Sequence, residues 1–327
     1  MTRKRWALLL ALPLVAQVVG CASYPARATV GFHETVDLRE TVGLEGVREV
    51  LVETRNGSIE VQADPGRKDL DVQAEKSSTG LNEQDARTHA ESISIHIGRD
   101  LMRSDVLRIT AQFPPSVPAR SRGVAFAIKL PPGLAVRAET SNGRVRVTDV
   151  KSDVKVKTSN GRIFASNVNG TLDLRTSNGS VVVKDVVGGI EIRTSNGKIE
   201  MARIEGDRIK ATTSNGRILA EEITGAPVLR TSNGRIELRV ASVPENPDIR
   251  ATNSNGRVHV ELPETVKATL RMRTSNGRIH ADLKGASVED VESERMRFKA
   301  TLNGGGGSIE ITSSNDSVTF QTTRAGG

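Results

Sequence analysis

Thr176-Ser177-Asn178-Gly179 is the stretch of sequence that decides the fold, because nearly the same four residues recur along the second half of the chain. Each copy has an asparagine that follows a serine and precedes a glycine, at successive intervals of 18, 18, 18, 19, 18, 22 and 21 residues. The copies are centred on Asn142, Asn160, Asn178, Asn196, Asn215, Asn233, Asn255 and Asn276. A repeat of this length indicates a protein built from stacked structural units.

Each repeat is predicted to contain two short strands joined through the Asn-Gly pair. The third residue after every asparagine is Val or Ile, and the fifth is Val, Ala, Met or Leu. Before the asparagine, apolar and polar residues alternate, as in Leu172, Asp173 and Leu174, which is the period of a β-strand. A second corner follows in the first repeats, ten residues after the asparagine, at Gly170, Gly188, Gly206 and Gly225.

Two architectures fit this pattern. Asn and Gly both tolerate positive φ, so Asn-Gly between alternating strands is a strong hairpin signal and permits an antiparallel meander. A parallel β-solenoid also explains why whole tetrapeptides recur, because stacked coils place like residues above one another. We therefore predict an all-β, right-handed parallel β-solenoid with coils of roughly 18 residues. The low aromatic content of 2% suits its narrow interior.

The first 20 residues have the features of an export signal, with Arg3 and Arg5 before an apolar stretch over 6–19. The tetrapeptide Val18-Val19-Gly20-Cys21 resembles the bacterial lipobox, and this resemblance implies lipidation of Cys21, the only cysteine of the chain. Ala22 after it favours sorting to an outer membrane. The alternative is an ordinary secretory signal that is cut after Ala28.

The mature chain divides into three predicted parts. Residues 21–44 carry the lipidated cysteine and a tether, and residues 45–140 form an N-terminal cap. The cap is predicted to contain a diverged first coil at Asn56 and a short helix over 82–92. Residues 141–323 form the solenoid array, which ends in a coil whose corner has Asp316 in place of glycine.

The charge balance argues against nucleic acid as a partner. The whole chain carries +7, and three of those cations lie in the signal, so the mature chain is only mildly basic. An exported protein also does not meet nucleic acid in its ordinary surroundings.

Four features occur together in this chain: an opening strand with Asn-Gly-Ser-Ile at 56–59, a Leu-Pro-Pro-Gly turn at 130–133, serial Thr-Ser-Asn-Gly coils and a glycine-rich final coil. In this combination the chain resembles the bacterial DUF4097 family of candidate adhesins with β-strand repeats. The resemblance spans nearly the whole mature chain. It implies a β-solenoid outside the cytoplasm, commonly anchored in the envelope. It implies no catalytic residues and no cofactor.

Two cationic lines are predicted to flank the asparagine column. Two residues after the asparagine stand Arg144, Arg162, Lys198, Arg217, Arg235, Arg257 and Arg278. Three residues before it stand Lys157, Arg175, Arg193, Arg230 and Arg273. Stacked, they would suit an anionic polysaccharide. The simpler interpretation, which the sequence favours, is solvated charge on outward strand positions. The asparagines also have two interpretations. The sequence favours a structural one, in which the amides line the corners or face inward and hydrogen-bond along the stack, over a row of amides that binds a ligand.

An enzyme is the rival class, since β-helices carry polysaccharide lyases and hydrolases whose carboxylates converge. Only Asp149 and Asp185 share a repeat position, whereas Asp153 and Asp173 stand at two other positions, and this scatter is against it. The five histidines lack metal-ligand spacing. His259 and His280 each follow an asparagine by four residues and could stack as a weak metal-binding or pH-responsive pair, but the sequence favours chance placement on the surface.

The sequence therefore predicts a non-catalytic lipoprotein of the cell envelope, without a cofactor, that binds or scaffolds envelope polymers or proteins. Two alternatives stay open, a carbohydrate-active enzyme on the same scaffold and an accessory or sensor protein of an envelope-stress pathway.

Overall fold

The computed structural model describes residues 32–115 and 122–324, and these residues form 27 β-strands and one α-helix. The N-terminal region contains β1 (Phe32–Val42), β2 (Glu49–Glu53), β3 (Ile59–Ala63), β4 (Leu70–Gly80), helix α1 (Glu83–Ser92), β5 (Ser94–Arg99), β6 (Val106–Gln112) and β7 (Arg122–Leu130). The repeat array contains β8 (Ala135–Glu139), β9 (Val145–Thr148), β10 (Val154–Lys157), β11 (Ile163–Asn169), β12 (Leu172–Arg175), β13 (Val181–Val187), β14 (Ile190–Arg193), β15 (Ile199–Glu205), β16 (Ile209–Thr212), β17 (Ile218–Thr224), β18 (Pro227–Arg230), β19 (Ile236–Ser242), β20 (Asp248–Asn253) and β21 (Val258–Pro263). The C-terminal region contains β22 (Ala268–Thr274), β23 (Ile279–Asp282), β24 (Val288–Glu294), β25 (Arg297–Leu302), β26 (Gly307–Ser313) and β27 (Val318–Thr323).

The strands form two sheets whose array strands are all parallel, which confirms the predicted β-solenoid. Sheet 1 has the order β1-β4-β7-β3-β9-β11-β13-β15-β17-β19-β21-β27-β23. Sheet 2 has the order β24-β25-β22-β26-β20-β18-β16-β14-β12-β10-β8-β2-β6-β5. Each array strand pairs with the strand one repeat away, as Ile163 does with Val181. The hairpin alternative is therefore wrong, and the right-handed sense stays a prediction.

The core lies between the two sheets and is filled by the apolar columns that the repeat predicts. The third residue after the asparagine is fully buried from Val145 through Val258, and the fifth from Val147 through Val260 is at most 2% exposed. In the coil of β22 and β23, at the C-terminal end of the stack, the same two positions are Ile279 and Ala281, and both are only half-buried. The core is thus closed along the array and incomplete at that end.

The corner glycines are needed for close packing and not, as the sequence suggested, for positive φ. None of the eight repeat asparagines adopts positive φ, and neither do the glycines that follow them. A Cβ added to Gly197 would lie 1.7 Å from the carbonyl oxygen of Gly179 in the preceding coil. The hydroxyl of Thr194 accepts a hydrogen bond from the Gly197 N–H and donates one to that same carbonyl. Most coils therefore stack through a Thr and Gly contact at the corner, and Asn253 and Ser313 take the place of Thr in two of them.

Positive φ occurs instead at a second site, seven residues after the asparagine in five successive coils. The residues are Asp149, Asn167, Asp185, Arg203 and Glu222, with φ between 53° and 65°. Asn tolerates this left-handed region well, whereas Glu and Arg do so at a cost of about 1 kcal/mol. At this position the backbone of each sheet 1 segment bends just before its last inward-facing residue.

Replacing Glu222 with asparagine is expected to stabilise the protein by about 0.5–1 kcal/mol, because Asn adopts the φ of 53° found there more readily. Chemical denaturation measures the change. Glu222→Gln is the control, since it removes the same charge without improving the backbone preference. An equal gain from both variants would show that charge, and not backbone conformation, limits stability here.

The N-terminal region differs from the prediction at its start. Residues 32–42, assigned to the tether from sequence, form β1, which pairs antiparallel with β4 over its full length. Arg39 of β1 also contacts the buried Asp71 of β4, and this contact lowers the pKa of the Asp71 carboxyl. The predicted helix is present as α1, capped by the side chain of Asn82, and its buried Ala86 and Ala90 belong to a face packed on β1 and β4.

Both ends of the solenoid depart from the order of the chain. The coil of β2 and β3 lies between that of β6 and β7 and that of β8 and β9. The coil of β26 and β27 likewise lies between that of β20 and β21 and that of β22 and β23. The last coil in sequence is therefore internal in space. β24 and β25 form an antiparallel hairpin at this end of sheet 2 and do not add a further coil.

Candidate polyanion-binding surface

A continuous ladder of side-chain amides runs along the Asn-Gly corners. In stack order it contains Asn56, Asn142, Asn160, Asn178, Asn196, Asn215, Asn233, Asn255, Asn315 and Asn276. The Nδ2 of each asparagine donates to the Oδ1 of its predecessor over 2.6–2.7 Å. The amides lie at the surface and do not face inward, because the corner turns them away from the core. The ladder uses one N–H donor and one acceptor lone pair of each internal amide.

The cationic line beside this ladder, two residues after each asparagine, is interrupted. In stack order it reads Ser58, Arg144, Arg162, Ser180, Lys198, Arg217, Arg235, Arg257, Ser317 and Arg278. The sequence places Arg278 next to Arg257, but the inserted coil of β26 and β27 puts Ser317 between them. The longest unbroken run is therefore Lys198 to Arg257.

Carboxylates neutralise the middle of this line. Glu200 accepts from Lys198 at 2.7 Å and from Arg217 at 3.2 Å. The hydrogen bond from Lys198 is the main reason that the pKa of the Glu200 carboxyl lies below its ordinary value, so this carboxylate is charged at neutral pH. Arg235 contacts Glu237 at 3.2 Å with both side chains well exposed. These cations are less available to a ligand than their row suggests.

The remaining cations of the line make no ion pair with any described carboxylate. They are Arg144, Arg162, Arg257 and Arg278. Arg162 donates instead to the hydroxyl of Ser180 at 3.0 Å. Of these four, only Arg257 belongs to the unbroken run, and it is the strongest candidate to contact an anion.

The second cationic line, at the ends of the sheet 2 strands, is also partly neutralised. Arg175 forms a bidentate contact with Asp173, and Arg193 contacts Glu191. Lys157, Arg230 and Arg273 make no ion pair within the described residues. The second line thus adds scattered positive charge on the other side of the ladder.

A groove of about 630 Å³ opens beside the ladder. Its lining includes Arg235, Glu237, Arg257, His259 and Asp316. It lies where Asp316 replaces the corner glycine, and Asp316 is among its lining residues. The groove therefore combines Arg257, which makes no ion pair with a described carboxylate, with the paired Arg235 and Glu237, a histidine and the Asp316 carboxylate in one concave site.

No protein-family model matches the chain, and no curated protein matches it either. Among solved structures, a candidate cell adhesion protein from Clostridium sporogenes is similar over 89% of this chain and 100% of its own, with 10% identity and a TM-score of 0.27. A candidate adhesin from Bacteroides fragilis is similar over 89% of this chain and 97% of its own, with 10% identity and a TM-score of 0.26. Similarity this distant assigns no activity, and membership of DUF4097 stays a prediction.

His259 and His280, which could stack only if their coils were adjacent, do not form a pair. Thr319 of the inserted coil pairs with His259 on one side and with His280 on the other, so two strand spacings separate the histidines. His259 instead contacts Glu261 through Nε2 at 2.7 Å. Over residues 32–115 and 122–324, His, Asp and Glu side chains form no group of three or more that could hold a metal ion.

Cys21 and the alternative cleavage site at Ala28 lie outside the described residues. In the part of the chain that is described, no helix has the length and apolar character needed to cross a membrane.

Proposed function

We propose that this protein is a non-catalytic lipoprotein of the cell envelope, whose solenoid binds anionic envelope polysaccharide along the cationic line. The observation that carries the proposal is the groove at Arg235 and Arg257, where an arginine without a carboxylate partner lies beside the ladder. Cys21 supplies the lipid anchor, with the outer membrane as the favoured location.

The geometry favours an extended polymer over a small molecule. Coils repeat at about 4.8 Å, so successive line positions offer guanidinium groups at regular steps. Arginine binds carboxylate and phosphate through two parallel N–H groups. The ladder takes one N–H and one acceptor lone pair of each asparagine amide, and the hydrogen bonds left to the amides are neutral and weaker than those of charged arginines. Binding therefore depends on charge and spacing, which suits uronic or phosphorylated polysaccharides.

The acids on the array have structural partners, which supports a binding role over catalysis. Asp149 accepts from the Asn167 amide, and Asp153 from the backbone N–H of Thr171, each at 2.8 Å. Asp173 binds Arg175. Asp185 binds Arg203, which lowers the pKa of the Asp185 carboxyl. Three of these four contacts bridge neighbouring coils, so they stabilise the stack.

Reversing two charges in the groove tests the proposal. Arg235→Glu combined with Arg257→Glu is expected to weaken binding of polygalacturonate or of phosphorylated lipopolysaccharide core by roughly tenfold to hundredfold, since each charged hydrogen bond contributes on the order of 1.5 kcal/mol. Titration calorimetry at two salt concentrations measures the effect, and wild-type binding should weaken as salt rises.

The matched control is Arg208→Glu combined with Arg250→Glu, which changes the net charge equally but lies outside the line, near the second corner and in sheet 2. If both double variants weaken polysaccharide binding equally, net charge alone accounts for the effect. Wild-type protein that binds neither polymer at low salt would contradict the proposal.

A further inference from the structure

The two ends of the solenoid are closed differently. At the N-terminal end, α1 packs against β1 and β4 and buries Ala86 and Ala90 completely. At the C-terminal end, β22 and β23 form the last coil, and sheet 2 continues beyond it by β25 and β24 while sheet 1 stops at β23. This end therefore has a two-strand overhang, the hairpin over 288–302, facing a gap of two strands in sheet 1.

The inner side of the overhang is apolar and incompletely covered. Val288 lies opposite the buried Leu302, so its side chain belongs to the face that continues the core. Glu292 contacts Lys299 on the outer face of the hairpin. Val291 directly precedes Glu292, after the backbone irregularity at Asp290, so its side chain belongs to the opposite, inner face. Val288 is 36% and Val291 56% exposed. They face the same gap as the half-buried Ile279 and Ala281 of β23.

The edge of sheet 1 is also open. β23 pairs with β27 on one side, and no described strand pairs with its other side. An open parallel edge next to uncovered apolar side chains attracts a further strand.

We propose that two copies of this chain join end to end through this overhang, with β24 of each copy pairing antiparallel with β23 of the other. The two copies are related by a two-fold axis parallel to the strands. This rotation places sheet 2 of one copy in line with sheet 1 of the other, and it leaves the direction of every strand unchanged. The two-strand overhang of one copy then fills the two-strand gap of its partner, in both layers. The interface is isologous and closes at two copies.

Charge favours a second copy as the occupant. β24 is acidic, with Glu289, Glu292 and Glu294 exposed, whereas Arg278 and His280 stand at the start of β23. Antiparallel pairing brings the start of β23 toward the end of β24, where Glu292 and Glu294 lie. Opposite charges facing across paired strands stabilise that pairing.

Sedimentation equilibrium of the full chain in a mild detergent tests this dimer. The wild type is expected to have the mass of two chains at micromolar concentration. Val291→Lys is expected to raise the dissociation constant at least about tenfold, because it buries a charge in the interface. Leu101→Lys is the control, since Leu101 is fully exposed in the turn between β5 and β6.

Hydrogen exchange locates the interface. The amides of 279–282 should be protected in the wild type and should exchange faster in Val291→Lys, while its thermal midpoint stays close to that of the control. A monomeric wild type, an open series of larger oligomers, or a dimer that Val291→Lys leaves intact would each overturn the proposal. So would a dimer in which 279–282 exchange freely. None of these outcomes depends on polysaccharide binding.

Discussion

Gly197→Ala is expected to destabilise the protein by about 4 kcal/mol or more, or to prevent folding. The added Cβ would lie 1.7 Å from the Gly179 carbonyl oxygen and 2.5 Å from its carbon. The backbone cannot easily shift to relieve the clash, because Ser195 and Asn196 both donate to the Ser177 carbonyl of the same preceding coil. A single methyl group therefore opposes the stacking of two coils.

Gly133→Ala is the matched control, because no atom lies within 4 Å of its added Cβ and its φ is not positive. Urea denaturation of both variants measures the difference, together with the yield of folded protein. The control is expected to stay within about 0.5 kcal/mol of the wild type. A Gly197→Ala protein with the wild-type midpoint would mean that the corners are packed less closely than the structure shows.

Ending the chain after Gly306 is expected to release the whole segment over 268–302 from the solenoid. This truncation removes β26 and β27, whose Ile309, Ile311, Val318 and Phe320 are fully buried. β23 would then lose its strand partner, and β22 would keep only the antiparallel β25. Hydrogen exchange should show loss of protection over 268–282, although those residues are still present.

A stack in chain order predicts the opposite result, since removal of its last coil would leave the earlier coils paired. Protection retained over 268–282 after this truncation would therefore refute the inserted position of β26 and β27. Ending the chain after Arg324 is the control, because it retains both strands in full. That variant is expected to exchange like the wild type.

The repeat array could be predicted from sequence because its signals are local and periodic. Alternation around Asn178 fixes which side chains face inward, and the recurrence of Thr-Ser-Asn-Gly fixes which residues lie above one another. The helix over 83–92 also followed from local signals, with Asn82 as its cap. The strand at 32–42 was missed because few of its residues are apolar, and its pairing with β4 is not local.

The candidate site was predicted in composition but not in arrangement. The residues of the cationic line could be read from sequence, but which of them are neutralised depends on side-chain contacts such as those of Glu200. The groove beside Arg257 is also lined by Asp316, which is 59 residues further along the chain. No periodic pattern connects those two positions.

The sequence by itself determined the coil, its period, its inward faces and the asparagine column, because each coil repeats the local pattern of its neighbour. The tertiary structure alone decided the order of coils at both ends, the separation of Arg257 from Arg278 by Ser317, and the open edge at β23. The physical reason is that the inward columns are alike in every coil and do not specify which coils become neighbours. Which coils meet is settled by loop lengths and by the burial of the whole core, and neither is written in one repeat.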